Sequence, residues 1–146
     1  MLRLPAHILE ATLCTLSICG KGQCECVVYW TAPVGNYEGC NGWDHPTHCR
    51  SPYGYQIDDR WLTEYWFRLG REKRSIRAQV HTHPAAAFHS ATDDQWPVIS
   101  QAGFISIVIP NFAIGSTDLD RAWAGYLTPS GRWRHAAFSE ILKVVP

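Results

Sequence analysis

The segment best equipped for chemistry is Val80-His81-Thr82-His83-Pro84, followed by Ser90 and then Asp93-Asp94. Residues two apart on a strand project from one face, about 7 Å apart along the backbone, so His81 and His83 would present two imidazoles side by side. Two neutral imidazoles can clamp one metal ion. Zinc completes such a pair with a carboxylate, and a catalytic site keeps one corner for water. Pro84 cannot donate a ladder hydrogen bond, so it ends the strand and forces a turn able to return residues 90–94 toward the histidines. Histidine-x-histidine alone is a weak signal, since two hydrogen-bonded histidines on a half-exposed strand give the same pattern. Its weight comes from the hydroxyl and acidic residues that follow it.

These side chains need elements to hold them. Leu9, Leu13 and Leu16, with Ile8 and Thr12 beside them, recur at helical spacing until Gly20 and Gly22, which predicts an amphipathic helix over about 5–19. Residues 23–31 are β-branched and aromatic; Glu25, Val27 and Tyr29 share one face of this strand, and Cys24, Cys26, Val28 and Trp30 the other. A carboxylate thus lies in an otherwise apolar strand. Residues 33–55 are rich in Gly, Pro, Asn, His and Cys without periodicity and read as a long irregular loop. Asp58 or Asp59 can cap a second helix with the stripe Trp61, Leu62, Tyr65, Trp66 and Leu69, ended by Gly70. The basic run Arg68, Arg71, Lys73, Arg74 and Arg77 reads as a solvated helix terminus rather than a binding patch. Further on come a strand over 76–83, a short helical stretch over 92–101, a buried-type strand over 104–109, and two strands near 122–128 and 132–138 around Pro129-Ser130-Gly131. Helices and strands alternate throughout, which makes the chain an α/β domain.

Composition sets outer bounds. One hundred and forty-six residues, 46% hydrophobic and 18% charged, suit one compact domain and exclude disordered, collagen-like and coiled-coil classes. Thirteen basic against thirteen acidic residues leave no field to gather phosphate backbones or anionic lipid, so neither nucleic acid nor membrane is an expected partner. Glu10 interrupts the N-terminal apolar run and no small-x-small cleavage site follows, which argues against export and for a cytoplasmic chain. The six cysteines then read as reduced thiols. Cys40, His45, His48 and Cys49, joined by Cys24 and Cys26, have the residue types for a structural zinc. Their spacing is irregular and lacks Cys-x-x-Cys, so a loop with reduced thiols is the default.

The constellation as a whole resembles the signature of the JAMM metalloproteases, also called the MPN or Jab1/MPN domain. That signature is a Glu, then His-x-His-Pro, a spacer, and Ser-x-x-Asp. Residues 77–111, including Gly103-Phe104-Ile105-Ser106-Ile107-Val108-Ile109-Pro110-Asn111, hold the core of the resemblance, which is closest to short stand-alone prokaryotic members. It implies one domain over 1–146 with a three-layer α-β-α architecture, a mixed central sheet flanked by helices as in cytidine deaminases. It implies Zn2+ held by His81, His83 and Asp93, with Glu25 as general acid/base and Ser90 as hydrogen-bond donor to the transition state. The spacer, residues 85–89, is one residue shorter than the family's usual one. Counting from His83 selects Asp94 as third ligand; counting from Ser90 selects Asp93. Ser90 as N-cap puts residue 93 at N3 and turns residue 94 about 100° away, which favours Asp93, with Asp94 the alternative. Glu10 and Glu38 also lie upstream, and strand placement favours Glu25. His89 reads as a solvent-facing turn residue.

The substrate class implied by the resemblance is an amide bond at the C-terminus of a ubiquitin-like protein, cleaved as an isopeptidase or in precursor processing, with activating or conjugating enzymes of the same pathway as further partners. The alternatives are a hydrolase of a sulfur-carrier or small-molecule conjugate, and a non-catalytic scaffold of the same fold. The deaminase signature, a helix-borne His-Glu-x-x-His, a P-loop and a dinucleotide glycine motif are all absent from the sequence.

Overall fold

The computed structural model describes residues 1–95, 97–115 and 119–146. In chain order the elements are β1 (Leu2–Pro5), α1 (Ala6–Gly20), β2 (Val27–Pro33), β3 (Gly42–Asp44), β4 (His48–Ser51), β5 (Gly54–Ile57), α2 (Asp59–Glu72), β6 (Arg74–Thr82), α3 (Ala91–Gln95), β7 (Ile105–Ile109), β8 (Trp123–Leu127), β9 (Trp133–His135), α4 (Phe138–Ile141) and β10 (Leu142–Val145). Six strands form one sheet in the order β3-β2-β6-β7-β8-β9. Its β6–β7 pair is parallel and the other neighbours antiparallel, so the sheet is mixed.

Strand alternation builds three layers. Val28, Trp30, Val80 and Ile107 point to one side and pack with Ile8 and Leu16 of α1, while Val27, Tyr29, Ile76 and Phe104 point to the other and pack with Tyr65 and Leu69 of α2. The expected α/β sandwich of helix, mixed sheet and helix is present. Under α1 the buried Trp30 indole N–H donates to Thr12 Oγ1 at 2.8 Å, and Thr12 in turn donates to the Ile8 carbonyl at 2.7 Å. Both polar groups are thereby satisfied inside the core.

Of the two expected caps for α2, Asp58 is the one used, its carboxylate accepting from the Trp61 N–H at 2.7 Å. Several other expectations are corrected. Helix α2 continues through Gly70, because the left-handed closing residue is Lys73. Trp66 is 40% exposed and takes no part in the helix's buried stripe. Arg68 donates to Asp44, Arg74 to Thr31 and Asn41, and the Arg77 guanidinium lies over the Tyr37 ring, so the basic run is partly tied down. The helical stretch expected over 92–101 begins at Ala91 and runs to Gln95; Trp96 lies outside the described residues, and 97–101 are not helical. The loop expected over 33–55 contains β3, β4 and the start of β5; β4 and β5 form a hairpin separate from the main sheet. A parallel pair of β1 with β10 was also unforeseen.

After β7 the chain makes a left-handed turn without glycine. Asn111, Phe112 and Ala113 have φ of 54°, 52° and 59°, a conformation costing about 1–2 kcal/mol per L-residue. The turn is held by backbone bonds, with the Phe112 N–H donating to the His83 carbonyl at 2.9 Å and the Asn111 N–H to that of Ala85 at 3.0 Å.

Candidate metal centre

The end of β6 sets the histidines. His81 pairs with Val27 across the β2–β6 ladder, on the face where Val27 and Tyr29 pack, and His83 extends the strand by donating its N–H to the Ile109 carbonyl at 2.9 Å. Both are buried. Their Nε2 atoms stand 3.3 Å apart. Asp93 Oδ2 is 3.3 Å from His81 Nε2 and 3.5 Å from His83 Nε2. In a tetrahedral shell with bonds of about 2.0–2.1 Å, neighbouring nitrogen and oxygen ligands lie about 3.3 Å apart, so the three atoms match one face of such a shell. The Nδ1 atoms of both rings are buried without a partner among the described residues. Packing orients the rings instead, Tyr55 against His81 at 5.5 Å and Phe88 edge-on to His83 at 4.6 Å between centroids.

Asp93 arrives through a reciprocal cap. Ser90 Oγ accepts from the Asp93 N–H at 3.1 Å, and Asp93 Oδ2 accepts from the Ser90 N–H at 2.9 Å, which closes the first turn of α3 and aims the carboxylate at the histidines. Burial raises the Asp93 pKa, but hydrogen bonds with His81 and His83 and the Ser90 N–H outweigh it and hold the carboxyl well below the usual range.

Glu25 lies just before β2 rather than within it. Its neighbour Cys26 donates to Thr82 Oγ1 at 2.9 Å and accepts from the Thr82 N–H at 3.1 Å, while the Glu25 N–H donates to the Ser51 carbonyl at 2.9 Å. This carries the side chain to 3.9 Å from His83 Nε2. Burial pushes its carboxyl up to about 7; the nearby His83 opposes that rise and the Asp93 charge adds to it. Glu10 and Glu38 are exposed on the surface. A cavity of about 610 Å³ opens beside these groups, lined by Glu25, Tyr53, Tyr55, His83, Phe88 and Asp93 among others. Tyr53 stands at its rim, 88% exposed.

Asp94 is turned away and engages His89 Nδ1, whose other nitrogen lies 3.1 Å from Ser106 Oγ. His89 is therefore not the solvent-facing turn residue expected: its side chain is 3% exposed and stacks on Trp123 at 4.3 Å. Burial holds its pKa below the ordinary imidazole range in spite of Asp94. Gly125 makes room for this stack, since a Cβ there would collide with the Trp123 ring and lie 2.9 Å from the Arg134 carbonyl. The Trp133 ring also meets His89 edge-on at 4.6 Å, and nothing near His89 in the sequence signals these two tryptophans, which arrive from β8 and β9. Among the other flagged residues, Cys40 is buried where its N–H meets the Arg3 carbonyl, and Cys49 is exposed. Neither belongs to a ligand cluster with His45 and His48 among the described residues.

No family model matches the chain. It is 32% identical over 71 residues to a protein named probable metalloprotease y4jG from Sinorhizobium fredii, a match covering 49% of this chain and 44% of that relative. The chain thus spans less than half the length of this relative in the match. Two solved structures share the fold: a protein from Desulfitobacterium hafniense (TM-score 0.70, 15% identity, covering 99% of this chain and 94% of the other) and one from Salinibacter ruber (TM-score 0.59, 17% identity, 99% and 91%). Two imidazole nitrogens and a carboxylate oxygen thus lie together as a group that could hold a metal ion.

Proposed function

We propose that this chain is a zinc-dependent peptidase or isopeptidase of the JAMM type, acting on an amide bond at the C-terminus of a ubiquitin-like protein. The observation that carries the reading is the meeting of His81, His83 and Asp93 at ligand spacing, with the Glu25 carboxyl within 3.9 Å. The metalloprotease name of the Sinorhizobium relative supports it.

His81, His83 and Asp93 would hold the ion. Zinc bound there would polarise the scissile carbonyl and acidify a water molecule toward neutrality. Glu25 takes the proton from the attacking water and passes it to the departing amine nitrogen. A carboxyl held near 7 has both forms accessible for these two transfers. Ser90 Oγ accepts from the Asp93 N–H and keeps its own hydroxyl hydrogen for a substrate oxyanion. Phe88 and Tyr55 shield the histidines from bulk water. Residues 53–57 line the cavity consecutively, and β5 pairs only with β4 among the described residues, so an extended tail can add along its open edge. Tyr53 would meet the folded body of the substrate. The six cysteines form no disulfide, in keeping with the reducing compartment we propose.

The test pairs a metal assay with cleavage of ubiquitin-like proteins extended at their C-termini. Wild type and Glu25→Gln should each carry zinc at this centre, and His83→Ala should lose it. Wild type should cleave, Glu25→Gln should be slower by about 10²–10⁴-fold, and His83→Ala should not cleave. Full cleavage by Glu25→Gln, or by metal-stripped wild type, would overturn the mechanism; a wild type that cuts unrelated peptides and spares every ubiquitin-like substrate would overturn the substrate class.

A further inference from the structure

A second set of ligand-type side chains meets away from that centre. Cys19 on the last turn of α1, Cys26 ahead of β2, His45 just after β3 and His48 at the start of β4 bring two Sγ and two imidazole nitrogens within 4.8 Å of one another. Cys26 Sγ lies 3.2 Å from His45 Nε2, and Cys19 Sγ lies 3.7 Å from His48 Nε2. With bonds of about 2.3 Å to sulfur and about 2.0 Å to nitrogen, ligands in a tetrahedral shell stand about 3.5 Å apart, and the two distances straddle that value. The His48 tautomer is also set for ligation. Its Nδ1 is 2.8 Å from the Pro46 carbonyl, which can only accept, so the proton sits on Nδ1 and the Nε2 lone pair faces the sulfurs.

We infer that Cys19, Cys26, His45 and His48 form a second, structural zinc site. Two thiols and two imidazoles select zinc over calcium or magnesium, and four protein ligands leave no corner open for chemistry. The site has a mechanical task. The β4–β5 hairpin pairs with no other strand among the described residues, and it meets α1 and the residues before β2 through single hydrogen bonds, Arg50 to the Cys19 carbonyl at 3.0 Å and the Glu25 N–H to the Ser51 carbonyl at 2.9 Å. His48 is the first residue of β4, so a bound ion would tie the hairpin to α1 and to the start of β2. The same tie would steady Glu25, adjacent to Cys26, and Tyr55, which packs on His81. The sequence spaces the ligands as Cys-x6-Cys and His-x2-His, and only the fold shows that Cys19, rather than Cys40 or Cys49, is the fourth partner.

The test uses the full chain with His81→Ala and His83→Ala together, which removes the first centre and makes the result independent of the proposed hydrolysis. Loaded with cobalt, this double variant should hold about one ion per chain and show the near-ultraviolet absorption of a thiolate–cobalt bond. Adding Cys26→Ser or Cys19→Ser should abolish both, and adding Cys49→Ser should change neither. Treating the double variant with a chelator should lower its melting temperature. A double variant that binds no cobalt, or binds it without thiolate absorption, overturns the inference, and that measurement holds even if a cysteine variant fails to fold.

Discussion

Glu25 and Asp93 both approach His83 Nε2, and their surroundings push their carboxyls in opposite directions. In the metal-free protein the raised Glu25 carboxyl binds its proton more tightly folded than unfolded, so its contribution to stability is complete below pH 4.5 and is lost as pH rises to about 7. Urea denaturation in the presence of chelator should show wild type weakening relative to Glu25→Gln across that window, and parallel curves would remove burial as the cause. Asp93→Asn should cost the first centre most of its metal affinity. Asp94→Asn should weaken it far less, because Asp94 reaches His89 and not the histidine pair; zinc competition with a chelator measures both. The pair at 81 and 83 and the carboxylate at 93 were legible because strand period and helix capping are local rules. The Asp94–His89–Ser106 chain was not, since it depends on where β7 and β8 fall in the sheet.

At the scale of elements, a five-residue helix carries the candidate ligand Asp93. Such a helix is too short to persist on propensity, so the Ser90 cap and the His89 stack hold it. Ser90→Ala should cost about 1 kcal/mol of local stability, roughly a fivefold loss in zinc affinity, with Ser90→Thr restoring most of it. An affinity unchanged in Ser90→Ala would show that packing alone fixes Asp93. Most elements found from sequence have at least five residues of clear period, such as α1, α2 and β7, while the three-residue β9 was placed by the Pro129-Ser130-Gly131 turn before it. Strands β3, β4 and β5 escaped because three or four residues within a segment full of turn formers cannot display an alternation.

For the molecule as a whole, β1 and β10 join chain segments nearly the full sequence length apart. Leu4 is fully buried within the α1-side core, so Leu4→Ala should destabilise the fold by about 2–5 kcal/mol, measured by denaturant unfolding, although it lies far along the chain from every site residue. A cost below about 1 kcal/mol would mean that the strand pair is dispensable. The α/β class could be anticipated from the mixture of helical and strand periods, and the layered architecture from the family resemblance; the pairing of β1 with β10 could not, since neither four-residue segment carries a pattern of its own.

The left-handed turn after β7 gives the first centre a reporter of its own. The Phe112 amide reaches the His83 carbonyl from outside the ligand set. Its exchange with deuterated solvent would therefore time how often the terminus of β6 lets go, in the loaded and stripped protein alike, without altering any atom that touches metal or substrate.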